Sequence, residues 1–395
     1  MSEQPHIHTA PPRLTRSPVV LSDFTDHLVW PQLLRAGGLA LAPHRIGLCA
    51  AALVVIFLVD QAWHALLGHP AAPPNAPAGA VATPQGPIAV LAANLLQLAF
   101  ALLLSIRDLN PQTFAQAVGD LFLGLPLAST QDAGRTTAAG IASVLVLVPL
   151  ALAVLGVCGA AVSRSAACQF SLGKAPAWPQ ALGFALSRWR SLLGAVLGPL
   201  VVVWLLLAAT AGIGRALFAY PVANVLGAIL LPIALVACLV AALLCAAYAF
   251  GHVLLVPAVA ADDADAFDAV QRAYAYTLAK PFRLVGYLAL LVAQGLVAAL
   301  LVRAIMLLTM GLASITTGAP FEAGASVLQS ADADVWLRTT ARIVDFWAGL
   351  VSLLAVSYIV SFYFTASTLL YLAMRRVCDH QDMAEVWMPR QASQP

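Results

Sequence analysis

The sequence predicts an all-α polytopic membrane protein with six transmembrane helices, arranged as three repeats of an amphipathic interfacial helix followed by two spans. Three observations support this fold class. The chain is 61% hydrophobic and only 10% charged, it contains apolar stretches of about twenty residues, and short motifs recur along it. Soluble domains carry roughly 25% charged residues, so a soluble fold does not fit this composition.

Seven stretches are long and apolar enough to cross a hydrocarbon layer about 30 Å thick. They are 46–66, 88–106, 141–162, 192–211, 225–250, 284–310 and 346–372. Lys and Arg near span ends collect on the cytoplasmic side. If 88–106 does not cross, fourteen basic residues lie inside and five outside, whereas seven crossings give nine and ten. Six spans with both termini cytoplasmic are therefore preferred.

One rival topology has eight spans, because a crossing of both 88–106 and 114–127 preserves most of the charge bias. The second stretch is short and carries Gln116 and Asp120 near its middle. The six-span reading makes 68–140 one external insertion, 1–22 a flexible cytoplasmic arm and 373–395 a cytoplasmic tail. The predicted location is the plasma (inner) membrane.

The internal repeat rests on recurring motifs. Trp30-Pro31-Gln32 recurs as Trp178-Pro179-Gln180, and the motif at 41–46 recurs, with one inserted Lys, at 278–284. The predicted units are 23–162 including the insertion, 177–250 and 264–372. Because each begins and ends on the same side, they predict a pseudo-threefold axis along the membrane normal, unlike the inverted repeats of many transporters.

Each unit opens with an apolar stripe at the helical spacing of three and four residues. The stripes are Trp30, Leu34, Gly37 and Leu41; Trp178, Leu182, Ala185 and Trp189; and Phe267, Val270, Tyr274 and Leu278. The predicted interfacial anchors are Trp30, Arg35, Arg45, Trp178, Arg188, Trp189, Phe267, Arg272 and Arg283. Such helices lie in the membrane interface. They either only anchor the spans or also bind membrane lipids or other membrane proteins, which are the predicted partners.

Ionisable residues within spans cost about 2.5 to 3.5 kcal/mol each at the bilayer centre and are therefore candidates for function. Three such residues are Asp60 and His64 in the first span and Arg303 in the fifth. They either snorkel to the outer interface, form a structural ion pair, or line a proton or ion pathway. The similar depth of Asp60 and Arg303 predicts a pair, with Asp345 as a competing partner for Arg303.

The sequence contains no catalytic motif, so no catalytic residue, cofactor or metal site is predicted. The short cluster at 378–380 lacks a second pair of metal ligands. A second acidic cluster opens a predicted helix at Asp262, Asp263, Asp265 and Asp268. Helix capping is favoured there over a divalent-cation site. The basic residues are scattered, so no nucleic-acid surface is predicted.

The segments 262–274 and 281–283 resemble a recurring element of bacterial membrane proteins of unknown function. Similar families include the membrane region found ahead of glycerophosphodiester phosphodiesterase domains and uncharacterised six-span proteins. The chain has no appended phosphodiesterase domain, so that activity has no place to reside. Mitochondrial carriers also have three two-span repeats with amphipathic helices, but their helix lies between the spans and their repeated Pro-x-acidic-x-x-basic motif does not occur here.

These observations predict a non-catalytic integral membrane protein that interacts with lipids or partner proteins through its cytoplasmic helices. The alternative is a transporter for a neutral or apolar solute along the pseudo-threefold axis, and an enzyme comes third. A polar central pocket would favour transport, whereas a filled axis would favour the first reading.

Overall fold

The computed structural model describes residues 29–67, 138–221, 223–317 and 335–387. These residues are almost entirely helical. The helices are α1 (Val29–Leu33), α2 (Ala36–Ala40), α3 (Pro43–Leu67), α4 (Ala138–Leu172), α5 (Trp178–Ser187), α6 (Trp189–Phe218), α7 (Ala223–Asp262), α8 (Ala266–Ala279), α9 (Pro281–Thr317) and α10 (Val335–Asp379).

Six of these helices, α3, α4, α6, α7, α9 and α10, are long and apolar enough to cross a membrane. The predicted number of spans is therefore confirmed for the part of the chain that the structure describes. The predicted arm at 1–22, the insertion from 68 to 137 with the stretches 88–106 and 114–127, and the last residues of the tail lie outside the described residues.

The second helix of each pair runs beyond the span that hydropathy delimits. Helix α4 continues to Leu172, α7 to Asp262 and α10 to Asp379, so the predicted tail begins inside α10. At 1.5 Å per residue, the 40 residues of α7 are about 60 Å long, twice the hydrocarbon thickness. Small residues such as Ser163, Ala167, Ala260 and Ala261 occur throughout these extensions, and small side chains allow helices to pack closely.

The extensions of α4, α7 and α10 contact one another and form the centre of the molecule. We call the packed end the region made of residues 156–168, 253–262 and 361–375 together with the short helices α1, α2, α5 and α8. Almost every residue in the three central segments is buried. The starts of α3, α6 and α9 lie around this centre.

The remaining lengths of four helices form the second region, the apolar segments, at residues 200–250, 285–317 and 335–360. Most of their large apolar side chains are exposed. Of the most apolar window of α7 only 6% is buried, and the values for α9 and α10 are 6% and 11%. Burial by neighbouring helices is therefore greatest at the packed end, although α6 and α7 stay in contact along their apolar segments, as at Val203 and Ala241.

The short helices precede the long pairs along the chain. Helices α5 and α8 are continuous, and Pro179 in the first turn of α5 suits a position whose amide needs no partner. The first predicted helix is instead broken into α1 and α2 by a turn at Leu34 and Arg35. Gly37 and Gly38 lie in α2, just after the turn, and lower the helix propensity of this region.

Close approach of helices at the packed end depends on glycine at two positions. A Cβ added to Gly159 of α4 would lie 2.1 Å from Cε1 of Phe364 in α10. A Cβ added to Gly194 of α6 would lie 2.9 Å from Cβ of Ala266. Gly194 and Gly198 form a GxxxG pattern, which often allows close helix approach, but of these two glycines only Gly194 makes one.

Candidate functional site

The carboxylate of Asp262, at the end of α7, joins three helices of the packed end. It accepts hydrogen bonds from Arg375 of α10, from Arg272 of α8 at 2.9 Å and from the hydroxyl of Tyr371 at 2.5 Å. The side chains of Asp262 and Arg375 are 10% and 3% exposed. Removal of Asp262 would leave the buried Arg375 without a counter-charge, which is strongly destabilising.

The loop after α7 makes a second ion pair. Asp263 has a φ of 57°, a left-handed conformation that Asp tolerates better than most residues. Its carboxylate lies 2.5 Å from the guanidinium of Arg188, which opens α6, and Asp265 lies 3.9 Å from the same group. The end of α7 is thereby fixed to the start of α6.

The predicted capping role of the acidic cluster is divided among its members. Asp265 is the N-cap residue of α8, although its side chain makes no capping hydrogen bond, and Asp268 lies in the first turn. Asp268 also pairs with Arg272 at 3.0 Å, one turn along the helix. Asp262 and Asp263 bind arginines instead.

Two titratable groups of α8 have shifted pKa values because of these contacts. Burial lowers the pKa of Arg272, but its hydrogen bonds with Asp268 and Tyr371 outweigh this and raise it overall. Burial raises the pKa of Tyr276, and the hydrogen bond that its hydroxyl donates to Asp379 raises it further. Tyr276 therefore remains a protonated donor at neutral pH.

Residues 380–387 fold back over the packed end and are held by Arg164 of α4. The buried guanidinium donates to the carbonyl oxygens of Ala260 at 3.1 Å and Trp387 at 2.6 Å. It also lies over the ring of Phe184, 4.9 Å from the centroid, and 5.7 Å from the ring centroid of Trp387. Cation–π contacts of this kind strengthen when the cation is desolvated.

Arg45, near the start of α3, has a different environment because its partners are uncharged. Its guanidinium donates to the carbonyl oxygen of Leu39 at 2.5 Å, to the hydroxyl and carbonyl oxygens of Ser165 at 3.1 Å each, and to the side-chain oxygen of Gln169. The residue is 0% exposed. Among the described residues, no carboxylate forms an ion pair with it.

The short helices bury small residues and expose large ones. A pair of buried alanines four residues apart packs each of α2, α5 and α8 onto its neighbours: Ala36 and Ala40, Ala181 and Ala185, Ala269 and Ala273. Large apolar side chains on or beside these helices are exposed, namely Trp30, Leu34, Trp178, Trp189, Phe267, Leu278 and Phe282. Phe267 is 81% and Phe282 91% exposed.

The predicted interfacial anchors are distributed between these two environments. Arg45 is completely buried, so it does not reach a headgroup layer, because its guanidinium binds protein oxygen atoms instead. Arg188 and Arg272 are partly exposed and form the ion pairs described above. The remaining anchors are exposed, as Trp30, Arg35, Trp178, Trp189, Phe267 and Arg283.

The predicted intramembrane residues are not brought together. Asp60 is buried in α3, whereas Arg303 is exposed on α9. The described part of the chain has no ion pair between them, so the predicted pairing does not form. Asp345, the competing partner, forms no ion pair with Arg303 either. The side chain of His64 lies outside the described residues.

Sequence reasoning used Arg164 and Arg375 only to count charges and missed their roles in packing. Gln169 was also missed, because an isolated glutamine carries no pattern. A usable signal existed for Asp262, which ends the apolar run 253–261 that follows the span 225–250: this carboxylate and the arginine just after the last span are expected at the same end of the bundle. Opposite charges at one depth indicate a pair.

The axis between α4, α7 and α10 is filled at the packed end by buried side chains, including Ala161, Val259 and Leu369. An open cleft of about 440 Å³ lies away from this axis, between the α1–α2 turn and the end of α4. Within the described ranges, no group of three or more His, Cys, Asp or Glu side chains is arranged to hold a metal ion.

Comparison of the chain with known protein families, curated proteins and solved structures finds no match.

Proposed function

We propose that the chain is a non-catalytic integral membrane protein that interacts with lipids or with partner proteins through the short helices of its packed end. The observation that carries this proposal is the exposure of large aromatic side chains on all three short-helix regions. Trp30, Trp178 and Phe267 project away from the protein while alanines hold the same helices to it. Aromatic residues beside arginines are the composition expected at the headgroup layer.

The proposal includes three related units around a pseudo-threefold axis. The contacts support it, because α5 packs on α4, α8 packs on α7, and α1 and α2 pack on α10. Each short helix thus contacts the second long helix of the preceding unit, and the third unit closes on the first. The three second helices also end alike, at residues with positive φ: Gly173, Asp263 and His380.

The proposal also includes a cytoplasmic packed end in a bacterial inner membrane, with both termini on that side. The distribution of arginine supports this orientation. Arg45, Arg164, Arg188, Arg272 and Arg375 lie at the packed end, and positive charge favours the cytoplasmic side. The resemblance to membrane regions that precede phosphodiesterase domains remains part of the proposal. The alternative of transport along the axis has less support, because the described axis is filled.

Photo-crosslinking in membranes tests the interaction surface. A benzophenone amino acid replaces Phe267, and the matched control places it at Asp265, two residues away and 82% exposed on its side chain. Lipid adducts at 267 with few at 265 are expected for a helix at headgroup depth. Protein adducts at 267 would identify a partner surface instead. Equal, low labelling at both positions would overturn the proposal.

A further inference from the structure

We infer that the cleft beside Arg35 binds the phosphate group of an anionic phospholipid. This inference rests on the proposed function, because it assigns a lipid class and a site to the membrane-facing surface. The cleft has a volume of about 440 Å³ and is lined by Leu34, Arg35, Gly38, Leu39, Gln169 and Phe170.

A buried positive charge lies directly behind the wall of this cleft. Two of the lining residues, Leu39 and Gln169, are hydrogen-bond acceptors of the Arg45 guanidinium. A fully buried guanidinium with neutral acceptors keeps its whole charge, and a buried charge without a counter-ion costs several kcal/mol. An anion in the cleft would lie next to that charge and reduce this cost.

The second unit of the molecule provides the internal comparison. There, Arg188 opens the first long helix and pairs at 2.5 Å with Asp263, directly after the end of the second long helix. In the first unit, Arg45 lies near the start of α3 and faces the end of α4, where the chain reads Ser171-Leu172-Gly173-Lys174. The residue that directly follows the second long helix is thus Asp263 in the second unit and Gly173 in the first, so the first unit has no carboxylate of the chain at this position.

The cleft wall also offers hydrogen-bond donors. Gln169 uses its side-chain oxygen to accept from Arg45, so its amide nitrogen remains for a ligand. Arg35 is exposed at the rim, and no described residue forms an ion pair or hydrogen bond with its guanidinium. Arginine and amide donors are suited to phosphate oxygens. The carbonyl group of Leu39 is directed to Arg45, which reduces its repulsion of an anion.

The apolar part of the lining favours a lipid over free phosphate. Leu34 is exposed at the rim, and Phe170 and Leu39 lie beside the donors. A phosphodiester attached to a glycerol and acyl chains fills both the polar and apolar parts of such a cleft, whereas inorganic phosphate contacts the donors alone. An anionic headgroup is also preferred to a zwitterionic one, because the cleft has the guanidinium of Arg35 at its rim, that of Arg45 behind its wall, and no described carboxylate in its lining.

The test measures the melting temperature of the delipidated full-length protein in neutral detergent against increasing short-chain phosphatidylglycerol. A ligand that binds only the folded state raises this temperature in proportion to the logarithm of its concentration above Kd. Short-chain phosphatidylcholine and inorganic phosphate are the two comparison ligands. We expect phosphatidylglycerol to have the largest effect. Equal effects of phosphatidylcholine, or of inorganic phosphate, would overturn the assignment of an anionic lipid.

Two variants locate the site. Arg35→Gln should weaken phosphatidylglycerol binding about fivefold, the loss expected for one basic side chain at an anionic surface. Gln169→Glu supplies Arg45 with a carboxylate of the same shape, so it should raise the melting temperature without lipid and remove the lipid-dependent increase. If Gln169 had only a structural role, Gln169→Glu would not raise the melting temperature without lipid and also remove the response to lipid. Arg215→Gln, an exposed arginine at the far end of α6, is the control and should behave as wild type.

Wild-type lipid responses in both Arg35→Gln and Gln169→Glu would overturn the site. The crosslinking at Phe267 separates this result from failure of the proposed function, because Phe267 lies on α8, outside the cleft. Lipid adducts at Phe267 together with unchanged binding in the two variants would reject the cleft alone.

Discussion

Helix α7 contains both the most buried and the most exposed kind of segment in the described chain within its 40 residues. Residues 253–261 are all buried at the packed end, whereas only 6% of the most apolar window of the same helix is buried. The apolar segments therefore have little protein around them, whereas at the packed end small, polar and large apolar residues such as Leu254 and Leu369 are all buried between helices. In a soluble protein, by contrast, the hydrophobic effect would bury the most apolar segments.

The difference follows from the solvent that each region is suited to. Lipid tails are as apolar as leucine, so apolar side chains gain little by leaving lipid for protein. Close packing of small residues and hydrogen bonds between polar groups then determine where helices meet. At the packed end, Asp262 and Arg164 each connect several elements. We expect substitutions there to have large effects and substitutions in the apolar segments to have small ones.

The largest effect is expected for Asp262→Asn, which leaves the buried Arg375 without its counter-charge. Loss of one partner of a buried pair costs about 3–5 kcal/mol. The measurement is the free energy of unfolding in detergent, with Asp265→Asn as the exposed control. Adding Arg375→Met should recover part of the loss, because the two residues share one interaction. A loss for Asp262→Asn no larger than that of the control would contradict the role of this pair.

A second test compares two leucines of α7 that lie eleven residues apart. Leu254 is 0% and Leu243 is 63% exposed. Leu254→Ala should cost about 2–4 kcal/mol through the cavity it creates, whereas Leu243→Ala should change stability by less than about 0.5 kcal/mol. Similar losses for both would mean that residues 200–250 pack against another chain, and the contrast between the two regions would then disappear.

A third test changes two glycines of α4 that are three residues apart. Gly159→Ala introduces a methyl group against Phe364 and should destabilise by about 1–3 kcal/mol. Gly156→Ala meets nothing within 4 Å and should stabilise by about 0.5 kcal/mol, because alanine favours a helix. The two melting temperatures should therefore move in opposite directions. Movement in the same direction would contradict the close approach of α4 and α10.

Hydropathy and charge bias predicted the six long helices, because span length is imposed by the bilayer and requires no tertiary contacts. The ends of α4, α7 and α10 could not be predicted in this way. Ser163 and Ala260 read as the margin of a span, and only the neighbouring helices bury them. Likewise, Arg45 resembles an interfacial anchor by sequence, and its burial depends on Ser165 and Gln169 from a distant part of the chain.

The aromatic stripes predicted where the short helices lie along the chain but not how they pack. The buried face is made of alanine pairs such as Ala269 and Ala273, which carry a weak sequence signal because alanine is abundant everywhere in this protein. The break between α1 and α2 was also missed. The prediction treated residues 30–41 as one continuous stripe, whereas the helix is interrupted at Leu34 and Arg35, directly before the paired glycines in α2.

The smallest effect is expected for Tyr276→Phe, which removes the hydrogen bond from the tyrosine hydroxyl to Asp379 at the edge of the packed end. Asp379 is exposed, so the loss at neutral pH should be about 1 kcal/mol.

Burial, and then the hydrogen bond to Asp379, raise the pKa of Tyr276 above its usual value of about 10. A group whose pKa is raised by folding stabilises fully below its unfolded-state pKa and loses that contribution as pH rises through the folded-state value. The stability difference between wild type and Tyr276→Phe should thus be constant from pH 7 to about 9 and decrease above pH about 10. Tyr220→Phe, at a 68% exposed tyrosine after α6, is the control and should change nothing. Chemical unfolding at a series of pH values measures all three proteins, and parallel curves for wild type and Tyr276→Phe above pH 10 would contradict the raised pKa.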